Sequence, residues 1–293
     1  ADQWAFCGCE HYTNPEFKKN INLFDEYISG YKFKNDELIN LNLLFWMEKK
    51  KYWKKPINII APSNWIAECA AKSYLFRNSY IKVIPTPLDL HKWAPIEKKM
   101  ARNILNLSND RIYILYGAQG GTKDKRKGSD LLFKALEEIN NNKNNIICDK
   151  FELIIFGESK PKENINSSFK VNYQGIFNDD ISLRILYSAA DVFVIPSLQD
   201  NLPGTGLESH ACGTPVVSFD VGGLSDIIEH HITGSLVKAL DYKLMAKEIT
   251  WLVEDEYRHQ LICDAARKRA VNLWSEERIS KMYADFYFSV LNK

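Results

Sequence analysis

The chain has no long apolar run and almost no net charge. Hydrophobic residues fill 45% of its 293 positions, yet no stretch approaches the roughly 18 consecutive apolar residues that a membrane-spanning helix needs. The 38 basic and 37 acidic residues give a net charge of +1, so no overall positive field attracts nucleic acid. The hydrophobic content suffices for a full core in one large or two modest domains. We therefore expect a globular protein without a nucleic-acid partner.

The chain also lacks a cysteine framework. Its six cysteines are scattered, at positions 7, 9, 69, 148, 212 and 263, which is typical of free thiols in a reducing compartment and favours a cytoplasmic location. Cys7, Cys9 and His11 do lie within five residues of one another. A closed zinc site needs four ligands, however, and no second Cys/His pair follows at a suitable spacing. We therefore expect no metal ion and no cofactor.

Apolar strands and helical patterns alternate from about residue 112 onward. The expected strands are 112–116, 151–156, 192–195 and 216–219, and the expected helices are 129–140, 181–190, 207–212 and 224–230, followed by long helices over 242–292. Continuously apolar strands that alternate with helices are typical of a parallel sheet with helices on both faces. The sequence thus predicts a doubly wound α/β domain, whose ligands bind over the carboxyl ends of the strands.

A smaller α/β unit is predicted before this domain. Residues 57–60 and 81–84 form short apolar strands, and Ser63 is a suitable N-cap for a helix between them that ends near Phe76. Residues 1–55 show no regular pattern and are expected to be irregular. Turn residues in the segment 88–95 then indicate an interdomain connection.

The loop after the strand 192–195 is the most informative segment of the chain. It carries proline and glycine and opens the helix expected at 207–212. A helix N-terminus at the carboxyl end of a buried strand favours phosphate through its free N–H groups and its dipole. A nearby carboxylate, Glu208, can accept hydrogen bonds from sugar hydroxyls, although such a residue is more commonly a surface carboxylate. Asp200 is expected either in the same site or as an Asx-turn residue that holds the loop. Backbone contacts to a diphosphate are expected from Asn201, Leu202, Pro203, Gly204 and Thr205.

A glycine-rich basic loop, 116–130, also lies between a strand and a helix. Gly120 and Gly121 would let its backbone approach a ligand closely. Lys127 is placed to reach phosphate oxygens as a mobile charge, and Arg126 to add a bidentate contact. The alternative is a solvated, flexible loop. The glycine spacing is not G-x-G-x-x-G and no Walker motif is present, so neither a dinucleotide fingerprint nor a P-loop is predicted.

Two further segments allow two interpretations each. Gly222 and Gly223 follow a strand and open a helix, so they are expected to donate N–H groups to a ligand, to form a tight turn, or both. An apolar stretch at 41–47 runs into Lys49, Lys50, Lys51, Lys54 and Lys55. The apolar part is expected to face the core, whereas the lysines, mixed with aromatic residues, suit an anionic membrane surface.

Together these segments resemble the family-4 retaining glycosyltransferases, which have the two-domain GT-B fold. The resemblance covers nearly the whole chain and is strongest over about 81–237. It rests on the segment from Pro196 to Glu208, on residues 212–217, on Lys127-Gly128, and on Gly222-Gly223. In that family two glutamates are separated by seven residues. The second matches Glu208, which implies contacts to ribose hydroxyls, whereas the first is replaced by the shorter Asp200, at a position that approaches the donor sugar.

The resemblance also implies a metal-independent mechanism in which Lys127 binds the donor diphosphate. The arginine that the family carries upstream of this lysine is missing, so Arg126 is expected to substitute for it. Residues 2–6 and the pair His11-Tyr12 resemble a subgroup that builds exopolysaccharides and lipopolysaccharide O-chains, which implies an acceptor-side role for His11. By the same comparison the chain is expected to be a fragment that lacks roughly the first hundred residues of the acceptor domain.

The predicted function is therefore transfer of a hexosyl group, with retention, from a UDP- or GDP-linked sugar to a saccharide or lipid-linked saccharide in cell-surface polysaccharide assembly. The expected domains are a partial acceptor-side domain over 1–88, a donor domain over 89–268, and a helix over 269–293 that crosses back to the first. The protein is expected in the cytoplasm, with a peripheral membrane location through the lysine cluster. The alternative is a truncated module that binds nucleotide-sugar without transferring it.

Overall fold

The computed structural model describes residues 2–12, 25–28, 30, 40–117, 122, 124–141, 149–159 and 169–292. A six-stranded sheet forms its larger part, with the strand order β5-β4-β3-β6-β7-β8. All neighbouring strands in it are parallel. The strands are β3 (Ile112–Gly117), β4 (Phe151–Phe156), β5 (Lys170–Gly175), β6 (Val192–Ile195), β7 (Val216–Phe219) and β8 (Gly234–Val237). The strand order reverses between β3 and β6, so this pair is the topological switch point of a doubly wound sheet.

Helices cover the larger sheet and enclose its apolar strands. They are α4 (Lys98–Ile104), α5 (Ser129–Asn141), α6 (Asp180–Ala189), α7 (Gly204–Ala211), α8 (Leu224–Ile227), α9 (Tyr242–Glu254) and α10 (Glu256–Trp274). Every residue of β4, β6 and β7 is buried, as expected for central strands of a parallel sheet with both faces covered. The predicted mixed α/β fold with a parallel sheet is confirmed.

A two-stranded parallel sheet forms the smaller part. It consists of β1 (Asn58–Ala61) and β2 (Tyr80–Val83), with α1 (Asp25–Ile28), α2 (Leu41–Tyr52) and α3 (Asn64–Lys72) beside it. The predicted N-cap is present, because the Ser63 hydroxyl oxygen accepts the Ile66 N–H at 3.2 Å, although α3 ends before Phe76. A separate hydrophobic cluster, which includes Phe6, fills this part.

The last helix, α11 (Glu276–Leu291), packs against the smaller sheet rather than the larger one. Ile279 and Phe286 form a buried cluster with Ile84, which follows β2. The ring of Phe286 also stacks on Tyr80, with centroids 5.7 Å apart. These contacts tie the C-terminal helix to the N-terminal part of the chain. Among the described residues, no helix combines the length and apolarity required to cross a bilayer.

The segment before the first strand departs from the sequence prediction in two ways. Within residues 1–55, α2 is a regular helix of 12 residues. Its apolar residues face the core only in part: Trp46 is buried in the cluster of the smaller part, whereas Leu44 is 52% exposed and Phe45 49%. Lys49, in contrast, is 7% exposed and donates hydrogen bonds to the carbonyl oxygens of Trp4, Cys7 (2.9 Å) and Gly8 (2.7 Å). Lys49 therefore holds the N-terminal turn in place and is not part of a surface lysine cluster.

Candidate functional site

A cavity of about 280 Å³ lies at the switch point, over the carboxyl ends of β3 and β6. Gly117 ends β3 and Ile195 ends β6, and both belong to the cavity wall. The loops that follow these strands supply most of the remaining wall: Arg126, Lys127, Pro196, Ser197, Asp200, Pro203, Gly204 and Thr205. Two segments predicted independently from sequence thus converge on one cavity.

The basic loop is locked against the second loop by its backbone. Lys125–Lys127 form a 3₁₀ turn, in which the Asp124 carboxylate accepts the Arg126 N–H at 3.0 Å. Gly128 follows with φ of 66°, and a Cβ there would lie 2.0 Å from the Pro196 carbonyl oxygen. Only glycine fits both the left-handed conformation and this close approach. The basic side chains are therefore held at a fixed distance from the loop after β6.

Lys127 forms an ion pair with Asp200 in the cavity wall, with Nζ and Oδ2 2.6 Å apart. Asp200 is 6% exposed, and its carboxylate also accepts the Ser197 hydroxyl at 3.3 Å and the Asn201 N–H at 3.2 Å. Arg126 lies 3.7 Å from the same oxygen and donates to the Gln199 carbonyl at 2.9 Å. Asp200 thus lines the cavity as the ion-pair partner of Lys127 and also holds the loop through its bonds to Ser197 and Asn201.

The N-terminus of α7 opens into the same cavity without a side-chain cap. Its N-cap residue is Pro203, which offers no acceptor, and Gly204 and Thr205 belong to the cavity wall. Within the described part of the chain, the N–H groups of these two residues have no hydrogen-bond acceptor. Unpaired amides and the positive end of the helix dipole favour an anion at this point. The helix begins three residues earlier than predicted, which brings these amides to the cavity.

Glu208 lies one turn along α7, behind the residues that line the cavity. Its Oε2 accepts the Tyr187 hydroxyl at 3.0 Å, and its Oε1 is 3.4 Å from the position that a Cβ on Gly204 would occupy. Burial raises the pKa of this carboxyl, and the Tyr187 hydrogen bond only partly offsets that effect. Glu208 is therefore a fixed acceptor beside the N-terminus of α7, with one oxygen directed toward Gly204.

The predicted glycine pair and Asn201 support the loop from behind rather than lining the cavity. A Cβ on Gly222, whose φ is 59°, would lie 1.8 Å from the Asp200 carbonyl oxygen, and a Cβ on Gly223 would lie 1.7 Å from that of Asn201. The Gly223 N–H donates to the Asp200 carbonyl at 3.1 Å. The Asn201 side chain accepts the Ser63 hydroxyl at 2.6 Å, and Leu202 packs against the core of the larger part. Direct donor contacts by these residues stay predictions.

Tyr12 joins the cavity from the N-terminal segment. It lines the cavity, and the centroid of its ring lies 4.1 Å from the Arg126 guanidinium carbon, a cation–π contact. Its neighbour His11 is exposed and pairs through Nδ1 with the Asp2 carboxylate at 2.5 Å. The only sequence signal for Tyr12 is its place beside His11 in the opening motif. His11 thus lies next to the cavity, and its acceptor-side role stays a prediction.

Gly120 and Gly121 lie outside the described residues, but the adjacent Thr122 shows how the basic loop is fastened. The N–H and the hydroxyl of Thr122 both donate to Glu158 Oε2, each at 2.9 Å. Glu158 follows β4, so it ties the glycine-rich loop to the neighbouring strand end. No motif in the sequence singled out this glutamate, because a lone carboxylate after a strand carries no spacing signal.

Cys7, Cys9 and His11 do not form a converging group of metal ligands within the described part of the chain. Cys7 is buried, which raises the pKa of its thiol, and the Glu10 carboxylate accepts the Gly8 N–H at 3.1 Å and the Tyr27 hydroxyl at 2.8 Å. Among the described residues, the side chains that do converge within 4.8 Å are His230, His231 and Glu248, before β8 and on α9. The expectation that no metal ion is needed stays a prediction.

Comparison with known proteins relates this geometry to a family. Residues 113–255 match the family model described as Glycosyl transferases group 1. Over these residues, just under half of the chain, the sequence is similar to the glycosyltransferase group 1 family. An uncharacterized glycosyltransferase of Methanocaldococcus jannaschii is 29% identical over 216 residues, which cover 71% of this chain and 52% of the relative. The residues that match the family model include both loops of the cavity.

Solved structures show a GT-B-like fold for this chain. Sucrose-phosphate synthase from Thermosynechococcus elongatus superposes with a TM-score of 0.72 at 24% identity, over 88% of this chain and 64% of that one. Anabaena HepE, solved in complex with UDP-glucose, gives a TM-score of 0.65 at 20% identity, over 79% of this chain and 64% of that one. The chain thus spans between about half and two thirds of the proteins it resembles.

Proposed function

We propose that this chain binds a nucleotide-sugar in the cavity at the switch point and transfers its hexosyl group with retention. The observation that carries the proposal is the convergence of two anion-binding elements on one cavity: the Lys127 ammonium on one wall and the unpaired Gly204 and Thr205 amides on another. A diphosphate is an anion that uses both at once. The UDP-glucose complex of HepE, which shares the fold, supports this choice of ligand.

The chemistry follows from where charge develops during the reaction. Departure of a nucleoside diphosphate from the sugar builds negative charge on the phosphate oxygens, and fixed donors aimed at those oxygens stabilise that charge. Lys127 would exchange Asp200 for the diphosphate, while the helix amides bind it without moving. Glu208 would accept hydrogen bonds from the ribose hydroxyls. The freed Asp200 carboxylate would then face the donor sugar, as its position in the resembling family implies.

Retention is proposed to arise from front-side departure, with the acceptor attacking the face that the diphosphate leaves. The side chains that line the cavity are suited to electrostatic stabilisation, because the charged ones are Lys127, Arg126 and the ion-paired Asp200. Arg126 is held by Asp124 at 3.1 Å and by the Gln199 carbonyl, so it contributes a fixed positive charge. We expect transfer to proceed without an added metal ion, since these cations and amides supply the positive charge.

Calorimetric titration with a panel of UDP- and GDP-sugars tests the proposal. Lys127→Ala is expected to weaken binding of every diphosphate ligand, because it removes the mobile cation of the cavity wall. Lys125→Ala is the matched control, since Lys125 lies in the same 3₁₀ turn but is exposed and does not line the cavity. Failure of all UDP- and GDP-sugars to bind, or equal effects of the two substitutions, would contradict the proposal.

A second candidate function is a module that holds nucleotide-sugar without transferring it. The Lys127 ammonium and the amides at the start of α7 account for diphosphate binding without requiring transfer. Radiolabelled transfer to saccharide and lipid-linked saccharide acceptors separates the two functions. Donor binding without any turnover would favour the module, and a retained anomeric product would favour the transferase.

The proposed setting is cell-surface polysaccharide assembly at the cytoplasmic face of the membrane, with a saccharide or lipid-linked saccharide as acceptor. The lysines proposed to meet the membrane are Lys50, Lys51, Lys54 and Lys55, since Lys49 is buried. Exposed apolar residues of α2, including Leu44 and Phe45, lie on the same helix. Co-sedimentation with anionic liposomes is expected to fall when the four lysines are neutralised, and unchanged sedimentation would contradict a membrane location through this helix.

A further inference from the structure

A second, basic groove lies on the smaller part of the molecule. It encloses a cavity of about 360 Å³ between the end of α2 and the turn that precedes β2. Four cations border it, namely Lys50, Lys54, Lys55 and Arg77, and two aromatic rings, Trp53 and Tyr74, form part of its wall. No carboxylate is among its lining residues. We call these residues the basic groove.

No neighbouring carboxylate compensates the charge of the cations in the basic groove. Within the described part of the chain, none of the four has a carboxylate oxygen within 4.0 Å. Neighbouring lysines outside the groove do have partners: Lys51 pairs with Glu48 at 3.8 Å and Lys72 with Glu68 at 3.5 Å. A chain with nearly equal numbers of basic and acidic residues thus concentrates four unpaired cations around one concavity.

Two of the cations also share one aromatic ring. The Nζ of Lys50 and the guanidinium carbon of Arg77 each lie 4.7 Å from the centroid of Tyr74. The ring attracts each cation, but it cannot neutralise the repulsion between them and the adjacent lysines. An anion bound in the groove would relieve that repulsion, and Lys and Arg side chains are the usual ligands of phosphate oxygens.

The basic groove and the donor cavity lie at opposite ends of the small sheet. Lys54 and Lys55 precede β1 and Arg77 precedes β2, so the groove is at the amino ends of these parallel strands. Ser63, which follows β1, contacts Asn201 beside the donor cavity. Strands of four residues separate the two ends by about 13 Å at ~3.3 Å per residue. The groove is therefore a separate site and not an extension of the donor cavity.

We propose that the basic groove binds the phosphate or diphosphate group of a phosphorylated glycan or lipid. The four cations fit the charge of such a group, and Trp53, one face of which stacks on Phe76, adds aromatic surface to the groove wall beside them. This site stands on its own geometry, and it rests on the proposed function only for the idea that the ligand is an acceptor. Because the groove is distant from the donor cavity, the phosphate would sit away from the hydroxyl that is glycosylated.

Pyrophosphate titration of the full chain by calorimetry at low ionic strength tests the proposal. Two independent sites are expected, one in the donor cavity and one in the groove. Lys127→Ala removes the first, whereas Lys54→Gln combined with Arg77→Gln weakens the second by about fivefold per cation, the factor that ~1 kcal/mol per charge near an anionic surface implies. Lys51→Gln is the matched control, because Lys51 is an exposed lysine next to the groove residue Lys50 on α2 but does not line the groove.

The pattern of losses distinguishes this proposal from the proposed function. A single pyrophosphate site that Lys127→Ala abolishes would overturn the basic groove and leave the donor site intact. A single site that survives Lys127→Ala but is weakened in the groove variant would support the groove and remove Lys127 from diphosphate binding. Equal weakening by Lys51→Gln would show diffuse surface charge rather than a site, and would overturn the proposal.

Vesicles distinguish a lipid phosphate from a soluble one. Binding to phosphatidic acid vesicles, and not to phosphatidylcholine vesicles, that is lost together with pyrophosphate binding in the Lys54/Arg77 variant would identify a lipid source. Pyrophosphate binding without vesicle binding would identify a soluble phosphorylated ligand. Vesicle binding without a groove site for pyrophosphate would overturn the proposal, because the lysines would then act only as a diffuse membrane patch.

Discussion

The ion pair between Lys127 and Asp200 allows ligand binding and fold stability to be measured separately. Lys127→Ala removes a cation whose Nζ lies 2.6 Å from a buried carboxylate. Loss of a charged hydrogen bond to the diphosphate should reduce the free energy of UDP binding by about 1.5–3 kcal/mol, which corresponds to roughly ten- to hundredfold weaker affinity. The affinity for uridine, which lacks the diphosphate, should stay unchanged.

The same substitution also leaves Asp200 without its nearest counter-charge. The Arg126 guanidinium, 3.7 Å from the same carboxylate, remains, as do the Ser197 hydroxyl and the Asn201 N–H. We therefore expect a loss in the free energy of unfolding at the lower end of the ~1–3 kcal/mol that an under-satisfied buried group usually costs. Adding Asp200→Asn removes the carboxylate charge, while the amide oxygen can still accept the Asn201 N–H and the amide nitrogen can donate to the Ser197 hydroxyl oxygen. The double variant should therefore regain most of the lost stability but none of the lost UDP affinity.

Two assays test these predictions. Urea denaturation measures the free energy of unfolding, and calorimetry measures the affinities for UDP and uridine. Lys125→Ala, in the same turn but exposed, controls for a general change in loop charge. Recovery of UDP affinity together with stability in the double variant would refute the reasoning, because Lys127 would then act through the fold and not through contact with phosphate. Equal loss of uridine affinity would refute it as well.

Three further substitutions test other parts of the site. Gly128→Ala should lower the melting temperature more than Gly175→Ala, because both positions have a positive φ (66° and 76°) but only a Cβ on Gly128 would lie 2.0 Å from a backbone carbonyl oxygen. Gly175→Ala has open space around it and should bear only the conformational cost of about 1 kcal/mol, so equal shifts would contradict the packing of the two loops. Tyr12→Phe should retain UDP-sugar affinity and Tyr12→Ala should weaken it severalfold, because the ring of Tyr12 contacts Arg126. Unchanged UDP-sugar affinity in Tyr12→Ala would place Tyr12 outside the site. Because burial raises the pKa of Glu208, this carboxyl binds its proton at a higher pH than an ordinary glutamate, and UDP affinity should begin to fall at that higher pH as the solution is acidified. Glu208→Gln should flatten the pH dependence of UDP affinity. The same pH dependence in the wild type and in Glu208→Gln would remove Glu208 from ribose binding.

The central architecture was accessible from the sequence because buried parallel strands are continuously apolar. The strands over 151–156, 192–195 and 216–219 were predicted with the bounds that the structure has. The loops after β3 and β6 were predicted to share a crevice, since carboxyl ends of parallel strands meet at one edge, and the cavity is lined by both.

The strands β5 and β8 were not predicted. β5 has the sequence Lys-Val-Asn-Tyr-Gln-Gly, and β8 begins at Gly234. Both are edge strands of the sheet, with one neighbour each. β5 is partly exposed along its whole length, so its sequence shows no apolar run. β8 is mostly buried, but its four residues begin with Gly-Ser and are too short to show a pattern. Their existence is determined by tertiary pairing with β4 and β7 rather than by local pattern.

Three features of the site and its surroundings escaped prediction for different physical reasons. α7 begins at Gly204 instead of 207. Its first turn contains two glycines, which have low helix propensity, so the sequence does not indicate a turn that tertiary packing stabilises. Lys49 looks like a surface lysine in sequence, yet it binds three carbonyl oxygens of the N-terminal turn. Glu158 reaches Thr122 from another strand, a contact between distant residues that no local motif encodes.

A crystal structure of the chain with UDP bound is the most direct measurement of the central claim. The account predicts diphosphate oxygens within hydrogen-bond distance of both Lys127 Nζ and the backbone N–H groups of Gly204 and Thr205, with a ribose hydroxyl donating to Glu208. A UDP molecule bound elsewhere, or one whose phosphates leave the Lys127–Asp200 pair intact and the helix amides unoccupied, would contradict it.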